Sequence, residues 1–309
     1  MVKKKSLLIF VLAVLTAAVI FGLFFQFWLD KTKESYLLID TQPPQTGHFP
    51  SPLVATPTLL PPTPTPTLTL EELAAIRKRQ FEAVNQRYGP CRYVPVLMYH
   101  HVMEAEDAAT IGASYLNVPP AVFRAQMDYL WQKGYHVIGL DEMVEGIRND
   151  SLPTKPVVLT FDDGYRDFYD YVYPLLREKG IKATLFVISQ FVGGERYLVW
   201  AQIKEMVDSG LVLPGNHTLN HPYLTKLTDF QIKDQIFSAN NILREHLGRS
   251  VHFFAYPYGG INASVEQALK EGSFQGAAVT TNQAPQCLGL PYRFSRIRIG
   301  ATSLANYGL

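Results

Sequence analysis

The sequence predicts an α/β fold, a distorted (β/α) barrel with seven or eight mainly parallel strands, preceded by a transmembrane helix and a Pro/Thr-rich linker. Two observations carry the barrel. From Tyr93 onward, apolar strand-like runs alternate with helically spaced segments, and there are enough such runs to favour a barrel or near-barrel over an open sheet. A third observation sets the barrel apart: the first seventy residues have a different composition from the rest. With 309 residues, 47% of them hydrophobic, the chain can bury one full-sized core with appendages. A net charge of +1 offers no long-range attraction for nucleic acid, so no nucleic-acid partner is expected.

Residues 1–30 read as a cytoplasmic N-terminus and a signal anchor. Lys3, Lys4 and Lys5 precede Ser6–Leu29, a run of 24 residues without a charge, enough for a helix to cross a hydrocarbon core about 30 Å thick. The apolar run continues past Ala17-Ala18 to Trp28, longer than the roughly 7–15 residues of a cleavable signal. The lysines before the span leave the N-terminus in the cytoplasm and the remainder outside. The expected protein is therefore a single-pass membrane protein with its folded domain extracytoplasmic; secretion after signal cleavage is the alternative.

Residues 31–68 form the expected stalk. Within them, residues 41–67 hold nine prolines and seven threonines, a composition that cannot pack a core and favours extended polyproline conformation. At about 3.1 Å per residue that segment could reach roughly 80 Å. Residues 69–90 read as a lead-in helix, with Thr69 and Glu72 spaced as a capping box and Leu68 and Leu73 as its hydrophobic staple.

Residues 91–309 read as the folded domain. Its expected strands are 94–99, 136–140, 157–161, 183–188, 211–213, 253–256, 277–280 and 296–299. Helical spacing falls between them at 121–133, 142–147, 169–179, 202–209, 229–247 and 263–270. Cys91 and Cys287 flank this domain; outside the cytoplasm a disulfide between them is permitted, and two unpaired thiols are the equal alternative.

Chemistry concentrates at strand ends. The run Val157–Phe161 closes on Asp162-Asp163-Gly164, which alone reads as ordinary turn chemistry. Its second reading is a metal ligand beside a general base, and that reading needs partners. "PGNHTLNHP" supplies His217 and His221, four residues apart, so a helical turn would put both imidazoles on one face. By themselves they read equally as surface or core histidines. With an aspartate they complete a His₂–carboxylate set that leaves a fourth coordination position open, as catalytic zinc sites do. Asn216-His217-Thr218 also fits a glycosylation acceptor, but a sugar there would crowd the histidines.

"TFDDG", "GNHTLNHP" and "FAYPYGG" resemble, in order and approximate spacing, the polysaccharide deacetylases, the chitooligosaccharide-deacetylase-like NodB homology domain of carbohydrate esterase family four. "VPVLMYHHV" and "RAQMDYLWQKGYHVIGLDEM" resemble the exported poly-N-acetylglucosamine deacetylases within it. The likeness covers about residues 91–300. It implies Asp163, His217 and His221 as metal ligands, with Zn²⁺ the expected divalent ion, and Asp162 as general base. It also implies the backbone N–H of Tyr258 as an oxyanion donor.

The sequence departs from the family in two places. Ala255 stands where an arginine usually orients the base, and no late leucine-x-histidine motif supplies a general acid. Arg296 of "FSRIRIG" is the expected substitute for the first, and His100 for the second, with a satisfied core histidine as the other reading of His100. His101, His136 and His252 read as structural. The implied function is a metal-dependent hydrolase that removes N-acetyl groups from an N-acetylglucosamine-containing polysaccharide of the envelope or matrix. The alternatives are a hydrolase of another carbohydrate amide or ester, or an inactive carbohydrate-binding module on a stalk.

Overall fold

A computed structural model describes residues 69–281 and 285–309. The expected anchor and stalk lie outside the described residues, among which no helix is long and apolar enough to cross a membrane. Helix α1 (Leu70–Tyr88) opens as expected, with Thr69 Oγ1 accepting from the Glu72 N–H and the Glu72 carboxylate accepting from the Thr69 N–H.

The strands follow in chain order: β1 (Cys91–Arg92), β2 (Val96–Tyr99), β3 (His136–Ile138), β4 (Pro156–Phe161) and β5 (Ala183–Val187). Then come β6 (Val212–Asn216), β7 (Phe253–Ala255), β8 (Gly276–Ala278), β9 (Gln286–Cys287) and β10 (Ile297–Arg298). Eight of them form one sheet in the order β10-β2-β4-β5-β6-β7-β8, with β3 also on β4, and every pairing in it is parallel. The sheet curls back on itself. Ahead of β10, Phe294 donates to Ala277 O at 2.8 Å and accepts from the Val279 N–H at 2.9 Å, so one segment touches β8 and then β2. That is the expected distorted barrel.

Strand parity explains the burial. Leu97, Tyr99, Leu159, Phe161, Leu185 and Val187 point to the helices α3 (Pro120–Gln132), α5 (Tyr173–Lys179) and α6 (Trp200–Asp208). Val96, Val158 and Phe186 point the other way, into the barrel, where they meet Phe253, Ala278 and Phe294. Asp162 continues the inward parity one step past β4. It is therefore delivered to the mouth of the barrel by the same alternation that builds the core.

Two expectations needed adjusting. The strand expected at 211–213 runs on through Pro214 and Gly215 to Asn216, because a proline can sit in a ladder where no N–H is required and Gly215 leaves room for a neighbour. A Cβ at Gly215 would stand 2.3 Å from Phe186 Cδ1. The helix expected at 169–179 is broken: a π segment (Phe168–Val172) precedes α5, with Pro174 in its first turn where the missing N–H costs least.

Cys91 and Cys287 are paired in a disulfide that ties β1 to β9 across 196 residues of chain. Closing so long a loop in the unfolded chain is worth about 5 kcal/mol by loop entropy. Cys91→Ser is expected to lower the denaturant midpoint accordingly, and a variant with an unchanged midpoint would show that the bridge carries no stability.

Candidate active site

Asp163 follows β4 in a left-handed conformation, with φ of 77°, which turns its carboxylate across the barrel mouth. His217 follows β6 directly. The helical turn expected for His217 and His221 is not there; the segment after β6 is irregular, and Thr218 and His221 both have positive φ, at 69° and 61°. Side chains hold it. Asn216 Oδ1 accepts from the Thr218 N–H at 2.8 Å, and Thr218 Oγ1 accepts from the His221 N–H at 3.0 Å. Asn216 itself is fully buried and donates to Ile236 O, which removes it as a glycosylation acceptor.

The three side chains meet at one oxygen. Asp163 Oδ1 lies 3.3 Å from His217 Nε2 and 3.4 Å from His221 Nε2. His217 donates from Nδ1 to Ala255 O at 2.8 Å, and that bond assigns the lone pair to Nε2, facing the carboxylate. Asp163 Oδ1 is buried and finds no hydrogen-bond partner. Two imidazole nitrogens converging on an orphaned, buried carboxylate oxygen are an arrangement that a cation would satisfy, and two imidazoles with one carboxylate suit zinc. The residues present fit a divalent ion. Burial pulls His221 down to about 4, with His217 adding to the effect, so the imidazole stays neutral well into the acid range.

Asp162 is held from below. Arg296 Nη1 donates to Asp162 Oδ1 at 2.6 Å and Nη2 to Oδ2 at 2.8 Å, a two-pronged fork at which the arginine is 0% exposed. Its Nε donates to Val279 O and its Cζ lies 5.6 Å from the Phe186 ring centroid, so the guanidinium is fixed on every side. Burial again disfavours the Asp162 charge, and Arg296 more than offsets it, leaving the pKa below the usual carboxylate value. His100, at the end of β2, places Nε2 4.0 Å from Asp162 Oδ2 with a partly exposed side chain. Burial lowers its pKa; Asp162 and Asp163 oppose that, while Arg296 and Arg298 reinforce it.

Tyr258 sits at φ 58° in the turn after β7, and its N–H makes no hydrogen bond among the described residues. Gly259 is required beside it: with φ of 72°, a Cβ there would stand 2.2 Å from Thr280 Oγ1. The structure thus gathers His100, Asp162, Asp163, His217, His221 and Tyr258 around one cleft of about 800 Å³, with Arg296 beneath. Tyr115, Tyr165, Tyr197, Tyr223 and Arg298 line it as well, and none was singled out from the sequence. Arg298 had a legible signal in the two-residue alternation of "RIRI". The tyrosines had none, because loops bring them in. Tyr223 stacks on Tyr258 at 3.9 Å, and Tyr165 stacks on His101, which is buried and bonds Asp167 at 2.5 Å.

Comparison with known proteins agrees with this geometry. The family profile described as "Polysaccharide deacetylase" matches residues 149–277. YxkH of Bacillus subtilis (strain 168), which carries the same family description, is 30% identical over 208 residues, covering 67% of this chain and 71% of its own. The poly-beta-1,6-N-acetyl-D-glucosamine N-deacetylase of Escherichia coli (strain K12) is 25% identical over 218 residues, and the chain spans only 32% of that protein's length. Among solved structures, the Streptococcus pyogenes deacetylase PplD in complex with acetate superposes with a TM-score of 0.62 at 30% identity, over 68% of this chain and 93% of that one.

Proposed function

The chain belongs to the polysaccharide deacetylase family, hydrolases of carbon–nitrogen bonds in linear amides, and on that premise we propose that it deacetylates an N-acetylglucosamine-containing polysaccharide. The polymer is of the poly-N-acetylglucosamine or peptidoglycan type, in the envelope or matrix. The observation that carries this reading is the buried Asp163 oxygen between two histidine Nε2 atoms, with a second aspartate beside it in the same cleft.

Asp163, His217 and His221 would hold a divalent ion, Zn²⁺ by donor type, and when bound it would supply an acidified water and a polarised carbonyl at neutral pH. Asp162 accepts a proton from the attacking water, and Arg296 keeps that carboxylate ionised and aimed. The Tyr258 N–H donates to the oxygen of the acetyl group as negative charge builds there. The carbon–nitrogen bond then breaks, acetate forms, and the nitrogen departs as a neutral amine after taking a proton from His100. Arg296, which directly precedes β10, replaces from a different part of the sheet the arginine that Ala255 displaces.

The test is acetate release by the purified domain from poly-N-acetylglucosamine, peptidoglycan, chitin oligomers and acetylxylan, each with and without chelator. Release from an N-acetylated polymer, abolished by chelator and restored by Zn²⁺, is expected. Release from acetylxylan alone would replace the amidase reading by an esterase one.

Residues 6–29 serve, on the same proposal, as a single-pass anchor and 31–68 as a stalk holding the domain outside the cytoplasm. What supports this is the uncharged run and the lysines ahead of it. Full-length protein is expected in the membrane fraction after high-salt washing, with its domain open to external protease. A mature chain beginning after residue 30 would establish the cleaved-signal alternative instead.

A further inference from the structure

Residues 294–299 alternate. Ile297 and Ile299 enter the core on the helix side, so Arg296 and Arg298 share the opposite face, toward the barrel interior. Arg296 is spent on Asp162. Arg298, about 6–7 Å further along the strand, stands in register with Met98 and lines the catalytic cleft. Its Nη1 donates to the Tyr115 hydroxyl at 3.0 Å, and its Cζ lies 4.2 Å from the centroid of that ring. Among the described residues no carboxylate comes within ion-pair distance of it, and its Nε and Nη2 make no hydrogen bond.

The cleft therefore presents a positive charge with nothing to answer it. Asp162 is already neutralised by Arg296, and Asp163 is committed, with the two histidines, to the proposed ion. A neutral N-acetylglucosamine polymer gives a guanidinium no partner stronger than a hydroxyl. A planar fork with its Nε–Nη2 edge free, placed over an exposed tyrosine ring, suits two-pronged binding of a carboxylate or phosphate. We propose that Arg298, positioned by Tyr115, binds an anionic group on a sugar next to the one deacetylated, so that the substrate is an acidic N-acetylated glycan. This rests on the deacetylase reading of the site and narrows it.

The experiment uses three soluble glycans of equal length: an unsubstituted N-acetylglucosamine oligomer, one bearing an ether-linked carboxylate on alternate sugars, and one bearing a phosphodiester. Acetate release is followed for wild type, Arg298→Gln and Arg298→Lys, with melting curves to confirm folding. Wild type should favour one acidic glycan over the neutral one by tenfold or more in kcat/KM, and the arm that wins identifies the anion. Arg298→Gln should erase the preference, chiefly through KM, and Arg298→Lys should retain part of it. Equal kcat/KM on neutral and acidic glycans would overturn the inference while leaving deacetylation intact, as would an equal loss on all three in Arg298→Gln. Release from none of the three would overturn the deacetylase reading and, with it, this inference.

Discussion

Asp162→Asn is expected to lower turnover by about 10²–10⁴-fold, the contribution typical of a general base, while the ion content of the folded protein stays near that of wild type. The two effects separate because Asp162 touches Arg296 and faces the cleft, whereas the histidine Nε2 atoms converge on Asp163. His217→Ala is the contrasting variant, expected to lose the ion and the activity together. A stability cost accompanies Asp162→Asn. It leaves the Arg296 guanidinium buried without its counter-charge, and breaking such a pair costs about 3–5 kcal/mol. Assays are therefore run well below the variant's melting temperature.

The pH dependence has a definite sign. The folded-state pKa of Asp162 is depressed, so its stabilisation is present above the unfolded value near 3.9 and is lost as pH falls through the lower folded value. The acid limb of kcat/KM should lie below the ordinary carboxylate range, and Arg296→Gln should move it upward. A folded Asp162→Asn protein that turns over at near-wild-type rate would remove Asp162 from the base role.

Much of this site is written in strand-end residues. Asp162 and Asp163 were legible because they interrupt an apolar strand, and parity alone sends Asp162 inward. Arg296 was legible as a substitute only through the resemblance, yet its fork on Asp162 is the firmest ion pair in the cleft. Histidine spacing pointed to a pair that the fold does bring together, but for the wrong local reason. His217 and His221 converge through two left-handed residues and a threonine hydroxyl, none of which a helical wheel contains. The pairing of Cys91 with Cys287 could not be read in advance, because it depends on β1 and β9 meeting antiparallel across 196 residues. Tyr115 and Tyr223 were invisible for the same kind of reason: an exposed tyrosine in a loop carries no period, and only the fold decides which cleft it borders.

His100→Ala is expected to cost turnover on the scale of about 10²–10⁴-fold on amide substrates, with the ion retained. An amide nitrogen cannot leave as an anion at any useful rate, so some group must protonate it. With Nε2 4.0 Å from Asp162 Oδ2, His100 stands at the same cleft without an ion-pair contact to Asp163. Its environment departs from the unperturbed value near 6.5 on which a neutral-pH donor would rest: burial pulls it lower, and Arg296 and Arg298 pull the same way. Activity then needs Asp162 ionised and His100 protonated. The first condition fails only below the depressed Asp162 value, and the second fails as pH rises through a His100 value below 6.5. The basic limb of the profile should accordingly fall on the acid side of neutrality, and His100→Ala should abolish it. For an activated ester, whose leaving group needs little protonation, the loss should be much smaller. Equal losses on amide and ester, with the basic limb still in place, would give His100 a positioning role and leave proton donation to another group.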